Sequence, residues 1–320
     1  MILFEQLKNI PKVDLHINLT SSISTDLVYE LNEFDNIIDV EDSMIEKNYL
    51  DYYNSLDLPI KTLSNKKNIT LAVNNLIDKL ENDNVIYAEL FLDLFLYNNK
   101  LKHKMVIDTI LDIINKRNYK MNLVLVLSSK FDRDTNIKLM DLLDSYYNKG
   151  INGVYFYKDK MDNIIDYQYI FDRLKKNNIP YILDLNTKIT SVDYEIYNNA
   201  NRIIYSLPDI ENELITKYRT NNIILEFPIS SLIEKNVISN LKDYIIFLLF
   251  KDNYNITLST RDMTTLDTDL INEYCKLFNN LPFLINDLVK ILINNINNIN
   301  DSRKNEILEL FSKEVNDILE

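Results

Sequence analysis

Val13-Asp14-Leu15-His16-Ile17-Asn18-Leu19-Thr20-Ser21-Ser22 is the stretch whose reading decides the fold. Apolar and polar residues alternate through Leu19 and give way to a hydroxyl-rich turn, the pattern of a short strand running into a loop. Side chains two apart on a strand share a face, so Asp14, His16 and Asn18 point the same way. In a parallel barrel that face is the interior, and sites are built at the carboxyl ends of the strands.

Working outward, strand and helix patterns alternate to the end of the chain. Ser24–Phe34 reads as a helix capped by Ser24 or Thr25, and the tyrosine-rich stretch Asp35–Leu63 as short helices packed over a barrel end. Lys66–Asn82 is an amphipathic helix whose apolar positions are Leu71, Leu76, Ile77 and Leu80. Strands are expected at Val85–Leu92, Met121–Leu127, Val154–Tyr157, Tyr181–Leu185, Arg202–Tyr205, Ile223–Phe227 and Ile256–Ser259. Met121–Leu127 is almost continuously apolar, as a buried parallel strand should be. Helices are expected between them at Met105–Lys116, Thr135–Asn148, Tyr167–Lys176, Val192–Asn198, Ile210–Tyr218 and Leu241–Phe250, with more helix from Leu270 onward. Eight strands separated by helices predict a (β/α)8 barrel with extra helices after the first strand and at the C-terminus. No linker rich in Pro, Gly or Ser interrupts residues 1–320, so a single domain is expected, with Asn294–Asn300 as a loop between terminal helices.

Composition narrows the function classes. Of 320 residues, 46% are hydrophobic, ample for one sizeable core. A net charge of −13 argues against a nucleic-acid partner, which would need a basic stripe. The single cysteine, Cys275, excludes an internal disulfide framework and suits a reducing cytoplasm. The N-terminus lacks a basic segment followed by an apolar run, and the longest apolar run, Tyr244–Phe250, is far short of the ~20 residues needed to span a membrane. Glycine occurs twice, where average usage of ~7% would give about 22. Turns that need φ > 0 therefore have few glycines to draw on.

The strand ends carry a resemblance to the adenosine deaminase family. The opening strand resembles the family's His-x-His-Leu-Asp-Gly-Ser, with His16 as the first His, Asn18 for the second, Thr20 for the Asp and Ser21 for the Gly. Tyr87-Ala88-Glu89-Leu90 is similar to Tyr-x-Glu-Leu-Arg, with Phe91 for the Arg. Gly153–Lys160 lies where the family has Gly-x-Asp-Leu-Ala-Gly-x-Glu, with Lys158 for a substrate-contacting Gly and Lys160 for the Glu. Ile179–Thr187 resembles the strand ending His-Ala-Gly-Glu, so Asp184 stands for a zinc-binding His and Thr187 for the proton-shuttling Glu. Arg202–Ser206 resembles Arg-Ile-Gly-His-Gly, with Tyr205 for the water-orienting His. Phe227-Pro228-Ile229-Ser230-Ser231 is similar to Cys-Pro-Thr-Ser-Asn, and Ser259–Met263 to Asn-Thr-Asp-Asp-Pro. There Arg261 stands for a metal-binding Asp, while the purine-contacting Asp is kept as Asp262. Asp267–Tyr274 also follows the family pattern.

The resemblance implies the family's barrel and, in an intact member, zinc-dependent purine nucleoside deamination. A catalytic zinc takes three protein ligands and an open water position, and deamination also needs a proton shuttle. Of the matched ligand positions only His16 keeps its residue. His103, at the start of a polar helix, is expected to be solvated. The implied vestigial pocket comprises His16, Asn18, Asp184, Thr187, Tyr205, Arg261 and Asp262, with no cofactor and no intact catalytic set. In that pocket Arg261 is expected to take roughly the ion's place, hydrogen-bonded through its planar fork to Asp184, with Asp262 or His16 nearby. Lys158 and Lys160 read as a solvated loop, Lys158 and Asp262 being the positions for contact with a ligand. Tyr155, Tyr157 and Tyr205 are expected to fill volume. Such a protein would bind a small molecule or another protein. The alternative is a deaminase or other hydrolase with a rebuilt zinc site using His16, Asp184 and Asp262.

Overall fold

The structure, a computed structural model, describes residues 4–32, 34–45, 52–97, 101–187, 189, 193–207, 216 and 218–319. Eight parallel strands form one sheet in the order β1 to β8: Lys12–Asn18, Val85–Leu92, Met121–Ser128, Ile151–Tyr157, Tyr181–Leu185, Arg202–Tyr205, Ile224–Phe227 and Asn255–Leu258. The sheet closes on itself where Arg261 bridges Ile17. The Arg261 N–H donates to the His16 carbonyl at 2.8 Å, and the Asn18 N–H to the Arg261 carbonyl at 2.7 Å. This is a (β/α)8 barrel, with short helices after β1 at Thr25–Asn32, Ile37–Met44, Tyr52–Ser55 and Asp57–Thr62. Helices Leu270–Asn280, Ile285–Asn297 and Lys304–Leu319 follow β8.

Each strand buries both faces, which is why the strands read as apolar runs. Outward side chains such as Leu15, Leu125, Leu183 and Leu225 join the large core between sheet and helices. Inward ones form a separate apolar cluster of Phe91, Val124, Val126, Tyr155, Ile182 and Ile204. The barrel is therefore filled rather than hollow. Helix starts are set by side chains that accept an orphan N–H: Asn65 from Asn68, Asp132 from Thr135 and Asp269 from Asn272. No helix among the described residues is long and apolar enough to cross a membrane.

The returns from helix to strand show how the chain manages with so little glycine. Asn84, Asn118, Asn148, Asn178, Asn222 and Asn253 all have positive φ, and each sits just ahead of β2, β3, β4, β5, β7 or β8. A left-handed residue is the usual way to end a helix, and asparagine is the best substitute for glycine there. Gly150, at φ +121°, is a place where asparagine would not serve, because any Cβ would collide with the Leu111 side chain.

Several expectations need correction. The Asn294–Asn300 loop begins later than its composition suggests: Ile285–Asn297 is helix, and Asn295 is buried with its amide donating to Thr257 Oγ1 at 2.9 Å. Leu71 is 38% exposed on the outer edge of its helix, whereas Leu76, Ile77 and Leu80 are buried. Leu241–Phe250 is broken into a 3-10 turn, Leu241–Asp243, and a helix, Ile246–Lys251. The expected helix Ile210–Tyr218 lies almost wholly outside the described residues.

Candidate functional site

The polar face of β1 points into the barrel and meets Phe91 on β2, Glu226 on β7 and side chains just past β8. His16 is fully buried, its ring stacked on Phe91 at 3.6 Å between centroids. Its Nδ1 donates to Glu226 Oε1 at 2.7 Å. Ser259 Oγ donates to the same oxygen at 2.8 Å, and Arg202 Nε lies 3.0 Å from Oε2. Arg202 also reaches Glu89 Oε2 at 2.7 Å. Burial alone would raise the Glu226 carboxyl, but His16 and Arg202 outweigh it and hold it at about 2. Burial lowers the His16 pKa despite the pull of Glu226. Neutral His16 that donates from Nδ1 carries a lone pair on Nε2, and this buried atom has no hydrogen-bond partner.

Above this layer, at the strand ends, lie Asp184, Arg261 and Asp262, all at most 7% exposed. The guanidinium stands between the two carboxylates, with Nη2 3.8 Å from Asp184 Oδ2 and Nε 3.8 Å from Asp262 Oδ2. Nη2 also donates to the Tyr155 hydroxyl at 3.4 Å. The expected two-bond fork onto Asp184 does not form. Arg261 has φ 61° and is tied to β1 by two backbone bonds, and its guanidinium lies across both carboxylates rather than squarely onto one. A left-handed arginine costs on the order of 1–3 kcal/mol and persists only where its surroundings dictate it. Asp262 Oδ1 is held from the other side by Asn18 Nδ2 at 2.7 Å and Ser21 Oγ at 2.5 Å. Asp184 Oδ1 is buried without a hydrogen-bond partner.

Not every candidate joins this cluster. Lys158 is not solvated: it is 5% exposed and donates to the carbonyls of Asp159 and Asp162, both at 3.1 Å, and to Thr187 Oγ1 at 3.4 Å. The β4 loop folds back over its ammonium, and burial lowers its pKa. Lys160 is the exposed member of that pair. Tyr205 points the other way. Its ring packs on Phe227 at 5.7 Å in the core between sheet and helices, because strand alternation gives the inward place to Ile204. Thr20 pairs with the Tyr97 hydroxyl at 2.9 Å. His103 starts helix His103–Arg117 and is half-buried rather than solvated.

Sequence reasoning passed over Glu226 and Ser259, although Glu226 carried a signal. A lone carboxylate within Ile223-Ile224-Leu225-Glu226-Phe227 sits mid-strand among apolar residues, and a buried carboxylate requires a partner. Asp14 is a second buried acid beside the cluster. Thr260 Oγ1 donates to it at 2.6 Å, yet burial pushes its carboxyl up to about 7. Among the described residues, no group of three or more His, Cys, Asp or Glu side chains is placed to hold a metal ion.

The barrel, its seam and the polar strand ends match one family along nearly the whole chain, since the adenosine deaminase model fits residues 11–314. The chain belongs to the adenosine deaminase family. An adenosine deaminase of Clostridium acetobutylicum is 25% identical over 319 residues, covering 91% of this chain and 93% of the relative. The adenosine deaminase of Haemophilus ducreyi is 23% identical over 260 residues, covering 77% of this chain and 76% of its own. The same fold is seen in the N6-methyl-AMP deaminase of Arabidopsis thaliana, at TM-score 0.84 and 17% identity, covering 97% of this chain and 98% of that one. The adenine deaminase of Arthrobacter aurescens superposes at TM-score 0.82 and 12% identity, covering 96% and 99%.

Proposed function

We propose that this member of the adenosine deaminase family acts by binding, a small molecule or another protein, and does not carry out zinc-dependent deamination. The observation that carries the reading is the Arg261 guanidinium set 3.8 Å from both Asp184 and Asp262. Zinc is what the family implies, and the residues present do not fit it. A catalytic zinc needs three converging N, O or S donors and an open position. Asn18 uses its amide on Asp262, and the matched position just after β8 supplies a cation in place of a carboxylate. Thr187, at the matched shuttle position, accepts from Lys158 and has no acid group to move a proton.

Asp262 and Lys158 meet a ligand on this reading only by exchanging their present partners, Asn18 and Ser21 for the one and the β4-loop carbonyls for the other. Purine nucleosides are expected to bind weakly, because Thr20, Lys158 and Thr187 stand at positions matched to ribose and base contacts. Each buried polar partner lost costs roughly 1–3 kcal/mol. The test is a turnover assay on adenosine, deoxyadenosine and N6-methyl-AMP, with calorimetry on the same nucleosides. No turnover and no micromolar binding is the expected result. Turnover of any of them that a chelator abolishes would overturn the reading.

A further inference from the structure

Three observations converge on the seam between β8 and β1. The backbone of Arg261 is stitched to both sides of Ile17, by its own N–H to the His16 carbonyl and from the Asn18 N–H to its carbonyl. Its φ of 61° is held at the seam by these two bonds. The guanidinium it delivers lies 3.8 Å from each of two buried carboxylates. Beside it, His16 Nε2 and Asp184 Oδ1 are buried acceptors with no hydrogen-bond partner.

An imidazole lone pair and carboxylate oxygens are the donors that divalent zinc or cobalt selects. Here the two carboxylates are instead faced by a side chain that stays charged at every relevant pH. A dication in the same space would face that fixed charge at contact distance, in surroundings that screen poorly. Asn18 adds a second barrier, since its amide presents N–H groups to Asp262 and offers no ring nitrogen.

We propose that Arg261 is a built-in cation that closes the centre of this barrel to divalent metal, and that replacing it together with Asn18 opens a metal site there. The proposal rests on the non-catalytic reading but can fail separately from it. Metal-bound yet inactive wild-type protein would end this proposal and spare that reading. Metal-free protein that still turns over a nucleoside would do the reverse.

The experiment compares wild type, Asn18→His and Asn18→His/Arg261→Asp after chelator dialysis, each titrated with Zn2+ and Co2+. Metal per chain is measured by elemental analysis, the cobalt visible absorption reports coordination, and Tm is read with and without metal. Wild type and Asn18→His are expected to stay essentially metal-free, with unchanged Tm. The double variant is expected to take up about one ion per chain, to show cobalt ligand-field bands, and to gain Tm in a way that a chelator reverses. If the double variant folds only with metal, refolding in the presence and absence of Zn2+, followed by circular dichroism, gives the same answer. About one ion per chain in wild type would overturn the proposal. So would equal uptake by Asn18→His alone, or a folded double variant that takes none.

Discussion

His16 Nδ1 and Glu226 Oε1 lie 2.7 Å apart with both side chains sealed from solvent. The contact is one link in a buried chain that continues from Glu226 to Arg202 at 3.0 Å and from Arg202 to Glu89 at 2.7 Å. Such a chain tolerates the loss of a link badly, because the remaining charge stays buried without its partner. Glu226→Gln keeps the shape and removes the charge that holds Arg202. It should cost about 3–5 kcal/mol in urea unfolding, and a loss under ~0.5 kcal/mol would mean the chain contributes no more than surface contacts do.

The same chain sets an acid limit. Glu226 titrates at about 2 in the folded protein, below its ordinary 4.5, so its contribution is fully present above pH 4.5 and drains away as pH falls toward 2. Asp14 works in the opposite direction. Its folded value of about 7 lies above its ordinary 3.8, so between those values the folded chain holds a proton that the unfolded chain has released. Stability should therefore fall as pH rises from about 4 to 7, by on the order of 4 kcal/mol from this group. Asp14→Asn should flatten that slope in denaturant titrations. An unchanged slope would show that Asp14 is ionised in the fold.

Arg261 combines strain with charge, and two substitutions separate them. Arg261→Ala keeps the left-handed backbone and strips the cation from Asp184 and Asp262, so a loss of about 3–5 kcal/mol is expected. Arg261→Gly removes the same charge and also relieves the backbone, so it should be less damaging by about 1–2 kcal/mol. Equal stability of the two variants would show that the backbone there is unstrained.

Much of the barrel was legible because two periodicities alternate cleanly. Val85–Leu92, Tyr181–Leu185 and Arg202–Tyr205 read from pattern alone as the strands they are. The site was less legible, since partners in it come from strands far apart in sequence. Arg261 could be expected near Asp184, but its straddle of Asp184 and Asp262, 3.8 Å from each, is a geometry that no residue pattern announces. Tyr205 shows the limit of matching motifs position by position, because strand alternation turned it outward onto Phe227. Lys158 read as solvated because its neighbours are polar, yet those neighbours wrap it and supply carbonyls.

The asparagine turns are open to direct test at Asn118, which is exposed and has φ 50°. Asn118→Ala should cost about 1 kcal/mol, because a methyl side chain has no local hydrogen bond to offset the left-handed angle. Asn118→Gly should be neutral or slightly stabilising. Thermal unfolding of the pair checks the order, and an alanine variant as stable as the glycine one would contradict it.

Those turns also give the protein a chemical age. Asparagine is among the residues that heat degrades, and six of them carry the returns from helix to strand. Each side-chain amide lost to hydrolysis leaves a carboxylate, adding negative charge to a chain already at −13. Prolonged warm storage should therefore produce a ladder of progressively more acidic forms on isoelectric focusing.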